Sequence, residues 1–145
     1  MNGPDLTQRP PRSPRVRLGG YAILPRMLDK GRATIAGKNG EFRFNCPLDQ
    51  QFLEFAGIDA EAVKALLAQG QGDGEILAWV QKTSKRTPLE IAAWSEAQER
   101  RVPTDVETRK FLQEYHEKLA PHRKDVATWF DILDIDDHVT FGGKA

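Results

Sequence analysis

Nine prolines and twelve glycines among 145 residues cut this chain into lengths too short for any long helix or strand. Pro4, Pro10, Pro11 and Pro14 interleave with Arg9, Arg12, Arg15 and Arg17, so residues 1–17 cannot be helical and are expected to form an extended Arg/Pro arm. Downstream, apolar residues recur at helical spacing between the breaks. The expected fold is mainly α: a compact, single-domain bundle of six or seven short helices over residues 18–137, followed by a flexible polar tail at 138–145.

The helix signals are local. Leu24, Met27 and Leu28 have helical spacing, with Pro25 tolerated in the first turn, so a helix runs from about 24 to the mid-30s. Pro47 suits a first helical residue, and Leu48, Phe52 and Phe55 follow at i, i+4 and i+7 as a buried stripe. Asp59 caps the next helix, with Ile58 and Val63 as a hydrophobic staple and Gly70 at its end. Asp73 starts a fourth, marked by Ile76, Trp79 and Val80. Thr87 with Glu90, and Thr104 with Glu107, read as capping boxes opening two more, which Pro103 separates closely enough to make a helical hairpin ended by Pro121. Asp125 is the expected cap of a last helix carrying Val126, Trp129, Phe130 and Leu133. The aromatic residues of these stripes read as core.

Residues 33–45 admit two readings. Asn39-Gly40 supplies the positive backbone angles of a tight turn, and Phe42 and Phe44 alternate with Glu41 and Arg43, which together allow a small β-hairpin. The competing reading carries the first helix on to Gly37.

Charge is balanced overall, with 21 basic and 21 acidic residues, but not along the chain. Residues 1–45 hold nine Lys or Arg against three Asp or Glu, and residues 87–145 hold eight against twelve. Such a basic front attracts nucleic acid or an acidic partner, or docks on the acidic end of its own chain around Asp134, Asp136 and Asp137. No apolar run approaches the roughly 18 residues of a membrane span, and the first twenty residues lack the apolar segment of a secretory signal. A cytoplasmic protein that does not enter membranes is expected.

The chemistry-bearing motifs exclude more than they indicate. Cys46 is the only cysteine, so there is no internal disulfide and no thiolate zinc site. His116, His122 and His138 form no HxxxH or HExxH pair, and the acidic run before His138 lacks the glycine and terminal glutamate of a calcium loop. No metal or cofactor is expected, and no catalytic triad or phosphate loop can be assembled.

The candidate ligand-binding residues are Tyr21, Arg26, Asp29, Lys30, Arg32 and Cys46. Arg26, Asp29 and Lys30 fall at i, i+3 and i+4 on the first helix, with Arg32 three beyond Asp29, so they can reach one surface and hold a small anion, or simply form surface ion pairs. Cys46, just before Pro47, sits where a helix N-terminus favours a reactive sulfur, yet a lone cysteine is also an ordinary buried hydrophobe. Asp49 more simply caps that turn than serves as a base. Tyr21 follows Gly19-Gly20, where a flexible backbone and a phenol could line a pocket.

The segments LGGYAILPRMLDKGRA, FNCPLDQQFLEFAGID and TWFDILDIDD resemble a bacterial domain-of-unknown-function family, number 5069, over residues from Asp5 to about Asp137. The resemblance implies a soluble bacterial protein of a single domain and brings no activity, cofactor or catalytic residue. Three functions stay open: a non-catalytic module binding an anionic ligand or acidic protein partner, which the residues favour; a small enzyme using Cys46 as nucleophile or redox centre; and nucleic-acid binding through the arginine arm, the least favoured.

Overall fold

The computed structural model describes residues 3–145; Met1 and Asn2 of the expected arm lie outside the described residues. Seven helices follow one another: α1 (Leu24–Ile35), α2 (Pro47–Ala56), α3 (Ala60–Ala68), α4 (Asp73–Ser84), α5 (Pro88–Glu99), α6 (Val106–Leu119) and α7 (Trp129–Thr140). Among the described residues there is no β-strand, so the fold is all-α. The chain divides into two compact units, one ending at Ser95 and one spanning Glu96–Ala145.

In the first unit α1 packs against α3 and α2. Its core gathers Tyr21, Ile23, Leu24, Met27, Leu28, Phe52, Val63, Ile76 and Val80, all buried. Gly31 permits the close approach of α1 to α3, because a Cβ there would stand 2.6 Å from Leu67 Cδ1. The helix starts are those the local chemistry dictates: Pro25 and Pro47 in first turns, Asp59 accepting from Ala62 N–H at 3.2 Å, and Thr87 and Glu90 exchanging hydrogen bonds at 3.1 Å. At α4 the cap residue is Gly72, whose N–H is satisfied by Glu75.

Three expectations need correction. No hairpin forms at residues 33–45: α1 ends at Ile35, and Asn39 instead closes a turn, its backbone oxygen accepting from Phe42 N–H and its side-chain amide donating to the Phe42 oxygen, both at 2.9 Å. The two-residue turn occurs earlier, at Gly19-Gly20, where φ is 58° and 86° and Leu18 and Tyr21 form an isolated antiparallel bridge. Thr104 does not cap α6; Asp105 does, its carboxylate taking both the N–H and the hydroxyl of Thr108 at 2.7 Å. Asp125 does not cap α7; Arg123 claims it, and Thr128 forms the capping box with Asp131.

In the second unit α6 and α7 pack together over Leu112, Phe130, Ile132 and Ile135. Trp129 N–H donates to the Arg101 backbone oxygen at 3.1 Å. The helical structure continues to Thr140, three residues into the segment expected to be a frayed tail. No helix of the described residues is long and apolar enough to cross a membrane.

Candidate functional site

The six sequence candidates separate into three places. Tyr21 belongs to the core: it is 1% exposed and meets Phe52, Phe55 and Trp94 edge-on, at ring separations of 5.2 to 6.4 Å. Its loop is clamped by Ser95 of α5, which donates to the Gly20 oxygen at 2.6 Å and accepts from Ala22 N–H at 2.9 Å. Ser95 is fully buried and carries no sequence signal of this role.

Lys30 and Cys46 make a second place, together with Asp49. Lys30 is 3% exposed and Asp49 not at all; Lys30 Nζ lies 2.9 Å from Asp49 Oδ1 and donates to Cys46 Sγ at 3.1 Å. Asp49 Oδ2 accepts from Asn45 N–H, on the residue before the N-cap of α2, at 2.9 Å. Asn45 takes a positive φ of 62°, a conformation asparagine tolerates better than most residues. Cys46 is partly exposed and is the N-cap of α2. A sulfur at a helix N-terminus beside a buried ammonium has the surroundings in which cysteines act as nucleophiles.

Arg26, Asp29 and Arg32 form the third place, and it is completed by two residues that sequence spacing did not bring in. Arg12 of the arm grips Asp29 side-on, through Nε and Nη2, and its backbone N–H donates to the same carboxylate. The same guanidinium reaches Asp73 at the start of α4, with Nη1 at 2.7 Å from Oδ2. Arg32 Nη1 donates to Asp73 Oδ1 at 2.8 Å, so two arginines converge on one carboxylate. Arg26 is buried, donates to the Arg12 backbone oxygen at 3.2 Å, and lies 5.6 Å from the centre of the Phe42 ring.

Electrostatics follow from this geometry. The Arg12 hydrogen bond holds the Asp73 carboxyl below the usual carboxylate range, with Arg32 adding to it against partial burial. Burial opposes the charge on Arg12, but its hydrogen bonds to Asp73 and Asp29 outweigh that and raise its affinity for the proton. Asp73 and Arg12 therefore stay ionised through the physiological range. Asp73 and Arg12 remain about a third exposed, at 32% and 37% of their side chains, whereas Arg32 is 11% exposed.

Nothing local in the sequence announces this assembly, because its partners lie 17, 41 and 61 residues apart. A shallow cleft of about 430 Å³ also opens beside α2 and α3, lined among others by Leu53, Glu54 and Asp59, and it contains none of the six candidates. Among the described residues no group of histidine, cysteine and carboxylate side chains is arranged to hold a metal ion.

Fold and site together define an all-α protein whose arginine-bearing arm is fastened to its first helix through a shared network of ion pairs. The chain belongs to the family described as Domain of unknown function (DUF5069), whose model matches residues 8–139. None of the curated proteins matches it.

Proposed function

We propose that this chain is a non-catalytic binding module that takes an anionic ligand or the acidic surface of a partner at the Arg12, Arg26 and Arg32 cluster. One observation carries this reading: Arg12 and Arg32 both donate to Asp73, a single carboxylate that solvent can reach. Arginine forks match carboxylate and phosphate oxygens, and a pair already gathered and oriented binds an anion without first ordering its side chains. The reading places the protein in the bacterial cytoplasm, a reducing compartment in which the free Cys46 persists.

The test is calorimetric titration of the full chain with inorganic phosphate, glycerol 3-phosphate and hexaglutamate, in wild type, Arg26→Ala and Arg32→Ala. Saturable binding of any of the three that weakens by about tenfold or more in either variant supports the module. Absence of binding, or binding indifferent to both substitutions, overturns it.

A second reading, with Cys46 as nucleophile or redox centre, is favoured by the 3.1 Å contact from Lys30 Nζ. It requires Cys46 to be alkylated by iodoacetamide faster in wild type than in Lys30→Met. Equal rates in the two folded proteins remove it.

A further inference from the structure

We propose that the ligand of the arginine cluster is a phosphate-class oxyanion that binds between Arg12 and Arg32 by displacing the Asp73 carboxylate. This inference rests on the anion-binding reading above and names its ligand and its site.

The argument is a count of donors and acceptors. Asp73 Oδ2 accepts from Arg12 Nη1 at 2.7 Å, while Oδ1 is shared between Arg32 Nη1 at 2.8 Å and Arg12 Nη2 at 3.3 Å. Two oxygens therefore serve three guanidinium N–H groups. Arg32 Nη2 turns to the Gln71 backbone oxygen at 3.3 Å, and Arg32 Nε, shielded from solvent, has no hydrogen-bond partner. One carboxylate cannot present a complete edge to both guanidinium groups, because it has only two oxygens.

A phosphate has the oxygens that Asp73 lacks. Two can face Arg12 as Asp73 does and a third can take Arg32 Nη1, so that each of the three donors crowded on the two Asp73 oxygens has an oxygen of its own. A dianion also answers two arginines with twice the charge of an aspartate. Asp73 can yield: its side chain is 32% exposed, it stands at the first position of α4, and a Cβ added at the neighbouring Gly74 would meet nothing within 4 Å. Asp29 keeps its side-on grip on Arg12 throughout, so the arm remains in place to supply the fork. Asp29 and Glu75 are the negative groups an incoming anion must tolerate, and Glu75 is turned to Gly72 N–H.

The exchange is tested with the full chain by calorimetry at fixed ionic strength, titrating inorganic phosphate, glycerol 3-phosphate and hexaglutamate. Asp73→Asn removes the internal competitor, so phosphate affinity should rise by about tenfold or more over wild type, and Arg32→Gln in the same background should abolish the gain. Binding of glycerol 3-phosphate with the same dependence identifies an esterified phosphoryl group as the ligand; binding of inorganic phosphate alone identifies the free ion. Arg32→Lys in the wild-type background keeps the charge but not the fork, and a loss of about tenfold there supports the proposal even if Asp73→Asn does not fold. Phosphate affinity unchanged by Asp73→Asn or by Arg32→Lys overturns the exchange. Hexaglutamate binding without phosphate binding overturns this inference and leaves the anion-binding module standing, whereas no binding of any probe overturns both.

Discussion

Arg12 places three donors on the Asp29 carboxylate: Nε and Nη2 at 3.0 Å and its backbone N–H at 2.9 Å. A side-on fork reinforced by a main-chain bond fixes both the position and the orientation of the arm against α1, which a single ion pair would not. The fixation is continued along the arm by Leu6, which is buried and donates its N–H to the Lys38 oxygen at 2.8 Å, and by Pro14, whose oxygen accepts from Ile23 N–H at 2.9 Å.

Removing the Arg12 fork should therefore loosen the arm before it unfolds the helices. Arg12→Ala is expected to cost about 1–3 kcal/mol, toward the lower end because the guanidinium is partly solvated. Limited trypsin digestion gives the sharper readout, with faster cleavage after Arg15 and Arg17 than in wild type. An unchanged digestion pattern would show that Leu6 and Pro14 hold the arm without Arg12.

Acid should act on the same network. Asp73 titrates below its ordinary value of 3.8 because Arg12 donates to its charged form. A carboxyl lowered by folding contributes stability that is present above the ordinary value and is lost as pH falls through the lowered one. Urea midpoints measured from pH 7 down to pH 2 should thus fall more steeply below about pH 4 in wild type than in Asp73→Asn. Parallel curves would mean that Asp73 is no better paired in the folded chain than in the unfolded one. Asp125, brought to about 2 by exposed Arg123, titrates in the same range, and salt should weaken that pair.

Ser95→Ala tests the clamp on the Gly19-Gly20 turn. The substitution leaves Ala22 N–H, on a residue with no exposed surface, without its acceptor, and a loss of about 1–3 kcal/mol is expected. Gly19→Ala should be worse, since φ there is 58° and the new Cβ would stand 2.4 Å from Leu77 Cδ1. Thermal melts of the two variants should rank in that order, and a neutral Gly19→Ala would contradict the turn geometry.

The parts of the fold that can be read from the sequence are those decided within four residues. Pro25, Pro47, Asp59 and the Thr87–Glu90 pair each open the helix that their local chemistry predicts. Reading fails where two local solutions compete. Thr104 and Asp105 both fit a cap, and the carboxylate wins because it satisfies the N–H and hydroxyl of Thr108 together. Asn39-Gly40 has the residues of a hairpin turn, but the Lys38 oxygen is taken by Leu6 of the arm and Gly40 lies under the Leu6 oxygen, so distant chain decides the outcome. For the site, helical spacing groups Arg26, Asp29 and Arg32, which the structure links through Arg12 and Asp73, while Lys30 turns to Asp49 and Cys46. Arg12, Asp73 and Ser95 enter from 17 to 75 residues away, and periodicity holds no information at that range.

The buried Lys30–Asp49 pair supplies the last prediction, because stability and sulfur chemistry respond to it differently. Lys30→Met leaves Asp49, wholly buried, without its counter-charge, and a loss of about 3–5 kcal/mol is expected from an uncompensated buried carboxylate. Replacing both partners, as Lys30→Met with Asp49→Leu, removes the two charges together and should recover most of that loss, apart from the Asn45 N–H that Asp49 satisfies. Cys46 should not recover with it. The ammonium 3.1 Å from Sγ is absent in both variants, so alkylation should stay slow in the refolded double variant if Lys30 activates the sulfur. Stability restored with wild-type alkylation would assign the pair to folding alone, and a double variant no more stable than Lys30→Met would show that the Asp49 hydrogen bond to Asn45 outweighs the ion pair.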